Sequence, residues 1–179
     1  MLAGKQNFFI VILKLSCFFY TSTSFAQFAP APPDINSTAV YKDDVSISFW
    51  ANEVLLNRSW QNIADTTLGK ATVGFEANVL GPANNLFLSL GDGGSAILDF
   101  PFPIYNEPGY DFAVFENGFA ENNAEVNFYF MELALVEVSE NGVDFIPFES
   151  TSNIDTNSQV GSFATSNCTE VNNLAGKYP

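Results

Sequence analysis

The chain has 179 residues, with 6 Lys or Arg against 20 Asp or Glu, a formal net charge of −14, no histidine and two cysteines. That length suffices for one domain with a core of its own, while the acidity excludes nucleic acid and anionic lipid as partners, since both are held by Lys and Arg neutralising phosphates. The missing histidine removes the commonest general base, the commonest zinc ligand and every His-based triad, while carboxylate pairs could still hydrolyse a glycoside.

The N-terminus reads as an export signal over residues 1–26. Lys5 supplies a positive start, an apolar run follows from Phe8 to Tyr20, and Ser24-Phe25-Ala26 offers small residues where a signal peptidase cuts, before Gln27. The run is too short and, at Lys14, too broken for a membrane span, so none is expected in the mature chain. A lipoprotein with Cys17 acylated is the rival reading; Lys14, three residues earlier where an apolar residue belongs, argues against it. Cleavage takes Lys5 and Lys14 but no acid, leaving four basic and twenty acidic residues, a net charge of −16. It also leaves Cys168 as the one remaining cysteine, so no disulfide can form within the mature chain.

Residues 27–39 are rich in Pro and Ala without a period and predict a flexible lead-in. The domain is expected over 40–179. Val45 to Trp50 alternates as a strand does, with Val45, Ile47 and Phe49 on one face. Asn52 to Trp60 is ambiguous between a helical turn and a loop. Leu86 to Leu90 is a short apolar run ending at Gly91-Asp92-Gly93-Gly94, and Ser95 to Phe100 is a strand stopped by Pro101 and Pro103. Tyr110 to Glu116 is an aromatic strand stopped by Asn117-Gly118, and Val126 to Ser139 is a long β-branched and aromatic stretch. Asn141-Gly142 predicts a tight hairpin turn, with Val143 to Phe148 returning along Met131 to Ser139. Residues 150–170 are rich in Ser, Thr and Asn and read as a long loop. Strands at this spacing, 19 phenylalanines and no long amphipathic helix predict an all-β fold. Its expected form is an antiparallel β-sandwich or jelly roll, incomplete at its C-terminal end because no closing strand precedes Lys177-Tyr178-Pro179.

Three groups of residues are candidates for a site. Asp92, in the glycine-rich turn, could bring backbone against a ligand; the plainer reading is a tight connection that needs positive φ. Asp111, Glu116 and Glu132 are candidate ligands for calcium, the natural cation outside a cell, because an inward carboxylate in a chain so poor in Lys and Arg needs another partner. Strand parity puts Asp111 and Glu116 on opposite faces of one strand, and Glu132 opposite Glu137 on another; Glu132 meets Asp111 or Glu116 only if those strands are neighbours. Among the large aromatics Trp50, Trp60, Tyr105 and Tyr110, the loop-like contexts of Trp60 and Tyr105 suit stacking on a sugar. Asn153-Ile154-Asp155-Thr156-Asn157 has the alternating oxygens of a calcium loop, but Ser158 replaces the turn glycine and no Glu closes it. No catalytic residue is assigned.

LGDGGSAILDF (Leu90 to Phe100), PGYDFAVFENGF (Pro108 to Phe119) and MELALVEVSENGVDFIPF (Met131 to Phe148) together resemble secreted cell-surface proteins of Bacteroidetes and planctomycete-like bacteria. More distantly they are similar to discoidin-like or galactose-binding-like jelly rolls. The resemblance implies a surface address rather than a reaction, and its members continue past the equivalent of Asn173 to Pro179. The expectation is therefore a secreted or cell-surface, non-catalytic module, calcium-stabilised and binding a glycan or another cell-envelope component. The alternatives are a carboxylate-dependent secreted hydrolase and a purely structural envelope domain.

Overall fold

A computed structural model describes residues 27–121, 125–155, 161 and 163–178; the expected signal lies outside them. Among the described residues regular structure is sparse. The strands are β1 (Glu53–Asn57), β2 (Ser95–Asp99), β3 (Phe128–Tyr129), β4 (Glu137–Val138), β5 (Ile146–Pro147), β6 (Thr151–Ser152), β7 (Ser166–Asn167) and β8 (Val171–Asn172), with single 3-10 turns at Thr66–Leu68, Glu76–Val79 and Cys168–Glu170. They form four separate two-stranded antiparallel sheets, β1 with β2, β3 with β7, β4 with β5 and β6 with β8. No helix among these residues is long and apolar enough to cross a membrane.

The expected antiparallel β-sandwich, or galactose-binding-like jelly roll, does not form. A sandwich needs two multi-stranded sheets that each cover the other's apolar face. Among the described residues no sheet exceeds two strands, and of the face that alternation assigned to a core, Val45 is fully exposed while Ile47 and Phe49 are only half-buried. Val45 to Trp50 and Tyr110 to Glu116 are not strands, whereas the ambiguous Asn52 to Trp60 supplies β1. The cause lies in the pairing. β1 finds one partner, in the register Leu55 with Ile97, each later ladder is two residues long, and after β3 the next residue, Phe130, pairs with Phe119 instead. Ala134, inside the predicted hairpin arm, exchanges both of its backbone bonds with Ala175 rather than with the returning strand.

The hairpin turn itself forms as its residues dictate. Asn141 Oδ1 accepts the backbone N–H of Val143 and of Asp144 (2.9 and 2.8 Å), Ser139 Oγ accepts that of Gly142 at 2.9 Å, and Gly142 takes φ +70°. These bonds bring Val138 opposite Ile146. An Asx-type turn of this sort needs only local side-chain acceptors and one residue free to adopt positive φ.

The core sits around the C-terminal segment. Cys168, Thr169, Val171, Ala175 and Lys177 are all buried, and Cys168 and Val171 are fully so. Four parts of the chain bond to this segment. The Phe28 N–H donates to Thr169 O at 2.9 Å, Cys168 N–H to Asn127 O at 2.8 Å, Asn153 N–H to Glu170 O at 2.7 Å, and Ala175 N–H to Ala134 O at 2.9 Å. The lead-in joins it as well: Ala31 is buried, its N–H donates to Asn127 Oδ1 at 3.2 Å, and the Tyr178 hydroxyl donates to Ala29 O at 3.2 Å. Small side chains let several backbones converge here. Larger ones would hold them apart and leave buried N–H and C=O groups without partners.

Candidate functional site

Two of the predicted ligand-binding residues meet. The segment Ser59 to Gln61 runs between Gly69–Ala71 and Leu90–Asp92, bonded on both sides. Ala71 N–H donates to Ser59 O (2.8 Å), Gln61 N–H to Gly69 O (3.0 Å), Ser59 N–H to Leu90 O (2.8 Å) and Asp92 N–H to Trp60 O (2.7 Å). Arg58 fastens the same region, its guanidinium donating to Val73 O at 2.9 Å and Gly74 O at 2.5 Å. Gly91 and Gly93 take φ +76° and +80°, and a Cβ on residue 91 would fall 2.5 Å from Trp60 O and 2.6 Å from Ser59 O. The glycine-rich turn therefore approaches protein backbone, which supports its plainer reading as a tight connection. Asp92 is occupied in the same way, since its Oδ2 accepts the Ile63 N–H at 2.9 Å. The Trp60 side chain is 37% exposed. Tyr105 takes no part in these bonds and is 70% exposed, on a stretch that also presents Phe102 at 63% and Tyr110 at 73%.

The three predicted metal ligands divide. Asp111 is exposed and accepts the Glu107 N–H at 2.9 Å, a local loop bond. Glu116 and Glu132 come together beneath the C-terminal segment. Glu116 Oε2 is out of contact with solvent and accepts no hydrogen bond among the described residues. It lies against Gly176, whose Cβ, if present, would be 3.2 Å from it and in collision with the Glu132 carbonyl oxygen. Burial pushes the Glu116 carboxyl up to about 7; the Asn117 backbone N–H opposes the shift, and the neighbouring Glu132 carboxylate adds to it. Among the described residues no three Asp, Glu, Cys or His side chains gather in a metal-binding arrangement. Two carboxylates offer at most about four of the six to eight oxygens that calcium takes.

Residues that sequence reasoning passed over lie on the tail. Lys177 is buried, with its ammonium 5.8 Å from the centre of the Phe28 ring and 5.1 Å from that of Tyr178, which compensates a desolvated cation through the ring faces. Burial raises the Cys168 thiol above its ordinary range, against the pull of Lys177. The only available signal was the run Ala175-Gly176, small residues that permit a close approach, and the same run also fits an ordinary turn. An open cleft of about 550 Å³ lies between the lead-in at Pro30–Asp34 and the segments flanking Ala120 and Tyr129, with Asp34, Glu121 and Glu125 at its rim; none of the predicted site residues lines it. No protein-family model, curated protein or solved structure matches the chain.

Proposed function

We propose that this chain is an exported, non-catalytic module that binds a cell-surface glycan or another envelope component through the aromatic stretch Phe102 to Tyr110. The observation that carries this reading is the exposure of Phe102, Tyr105 and Tyr110 at 63%, 70% and 73% on one short stretch. Large aromatic side chains left exposed on one short stretch suit a recognition surface, and tyrosines suit one that stacks on the apolar face of a sugar while their hydroxyls stay wet. The acid surplus fits a neutral partner: with 20 Asp or Glu against 6 Lys or Arg, the field around the chain repels anions. Glycan-array binding by the exported protein and by Tyr105→Ala and Tyr110→Ala tests the reading. Binding lost in both variants, with unfolding midpoints unchanged, supports it; no binding by the parent protein, or equal binding by all three, removes it.

Calcium is a second reading, favoured by the buried Glu116 oxygen that accepts no hydrogen bond among the described residues. A cation there would replace the proton between Glu116 and Glu132, with backbone carbonyls and water completing its shell. Calcium should then raise the unfolding midpoint of the parent protein but not of Glu116→Gln, and a midpoint indifferent to calcium ends the reading. The hydrolase alternative gains less from the pair, because the buried oxygen of Glu116 faces the main chain at Gly176, whereas an acid catalyst must reach a leaving group.

A further inference from the structure

We infer that the open cleft between the lead-in and the segments flanking Ala120 and Tyr129 is a docking groove for an extended, lysine- or arginine-bearing segment of a partner protein. The cleft holds about 550 Å³, and one of its walls is the stretch Pro30 to Asp34. That wall offers acceptors and no free donor. Pro30, Pro32 and Pro33 have no N–H, the Ala31 N–H donates to Asn127 Oδ1 at 3.2 Å, and the Asp34 N–H donates to Ala31 O at 3.2 Å. What remains is proline ring surface, proline carbonyl oxygens and the exposed Asp34 carboxylate. Glu121 and Glu125 line the cleft as well, both exposed, and neither forms an ion pair among the described residues. No Lys or Arg among the described residues lines it.

Both walls are fixed to the core. Asn127 holds Ala31 through its side chain, and its own carbonyl accepts the N–H of the fully buried Cys168 at 2.8 Å. The Phe28 N–H, at the start of the lead-in, donates to Thr169 O at 2.9 Å. A groove set in advance in this way loses little conformational freedom on binding. Its chemistry selects the occupant. Carboxylates beside a wall without donors repel an anion and reward a donor, and an ammonium or guanidinium brings several donors and no acceptor. The half-buried Tyr129 adds aromatic surface, against which such a cation also packs well. Because the cleft is open, a small cation in it stays largely hydrated, whereas a chain segment brings several cations on apolar stems that lie along the prolines. The formal net charge of −14 draws a basic partner from a distance. Phe102, Tyr105 and Tyr110 do not line the cleft, so it is a second surface, independent of the aromatic stretch.

The test is the fluorescence anisotropy of a labelled peptide alternating Lys and Pro, which stays extended, titrated with the full chain at physiological ionic strength. Asp34→Asn, Glu121→Gln and Glu125→Gln combined should weaken binding by about tenfold, since each exposed ion pair contributes a few-fold. The matched control combines Glu76→Gln, Glu140→Gln and Glu149→Gln, which removes the same charge from exposed positions outside the cleft and should change binding by less than about twofold. Equal weakening by the two sets means that the peptide feels only the overall field, and overturns the inference, as does a parent that does not bind. Spermidine displacing the labelled peptide at concentrations as low as the unlabelled peptide requires would make the occupant a small polyamine and also overturns it. If the cleft variant fails to fold, judged by its unfolding midpoint, Glu121→Gln with Glu125→Gln is compared with Glu140→Gln with Glu149→Gln, and equal weakening again refutes the groove. Glycan binding by the Phe102 to Tyr110 surface is scored separately, so either proposal can fail without the other.

Discussion

Gly176→Ala tests the convergence at the centre of the core. Gly176 sits at φ +77°, and an added Cβ would collide with the Glu132 carbonyl oxygen and stand 3.2 Å from Glu116 Oε2. The left-handed conformation alone costs a non-glycine residue about 1 kcal/mol. Relieving the collision means moving backbone, because the obstructing atom is a carbonyl oxygen and not the end of a flexible side chain. The nearest give is the Ala134–Ala175 pair, whose two bonds are worth about 1 kcal/mol each. The expected total is about 3 kcal/mol, a large part of the stability of an ordinary domain. Gly142→Ala is the control, since Gly142 has nearly the same φ, +70°, with nothing within 4 Å of its added Cβ; it should cost only the conformational share of about 1 kcal/mol. Urea unfolding of the parent and both variants, compared at equal slope, measures the difference. If Gly176→Ala costs no more than Gly142→Ala, the tail is not packed against Glu132 and the account of the core is wrong.

Gly91→Ala should destabilise for the same two reasons, positive φ and carbonyl oxygens at 2.5 and 2.6 Å, by about 2 to 3 kcal/mol; a neutral effect in thermal unfolding would mean that the turn does not rest on Ser59 and Trp60. Val171→Ala removes two methyl groups from a fully buried site and should cost about 2 kcal/mol. The same change at Val45, which is fully exposed, should stay within about 0.5 kcal/mol, and equal effects at the two sites would show that the tail is not the core.

Some of this molecule was legible one short stretch at a time. The Asn141-Gly142 turn, the strand at Ser95 and the positive φ of the glycine-rich turn each depend on a few adjacent residues: a side-chain acceptor, a short apolar run bounded by glycine and proline, an absent Cβ. Strand parity also placed Glu116 and Glu132 on faces of their own segments. It could not make them neighbours, because a period of two says which way a side chain points and nothing about which segment lies opposite. The sandwich expectation failed at the same step. Alternation predicted an apolar face on Val45 to Trp50, and the structure leaves Val45 in water.

By itself, then, the sequence determined the acid surplus, the absence of imidazole chemistry and the local turns, since composition and short-range sterics are properties of the chain before it folds. Only the tertiary structure decided that the end of the polar stretch 150–170, read as a loop, and the residues just after it would be buried, at Cys168, Thr169, Val171, Ala175 and Lys177. Ser, Cys, Thr, Ala and Gly carry no apolar period to announce burial. What buries them is their small size, which lets the lead-in and the segments around Asn127, Ala134 and Asn153 close on one strand of backbone and satisfy its hydrogen bonds. The same closure sets the two acids at Gly176 side by side.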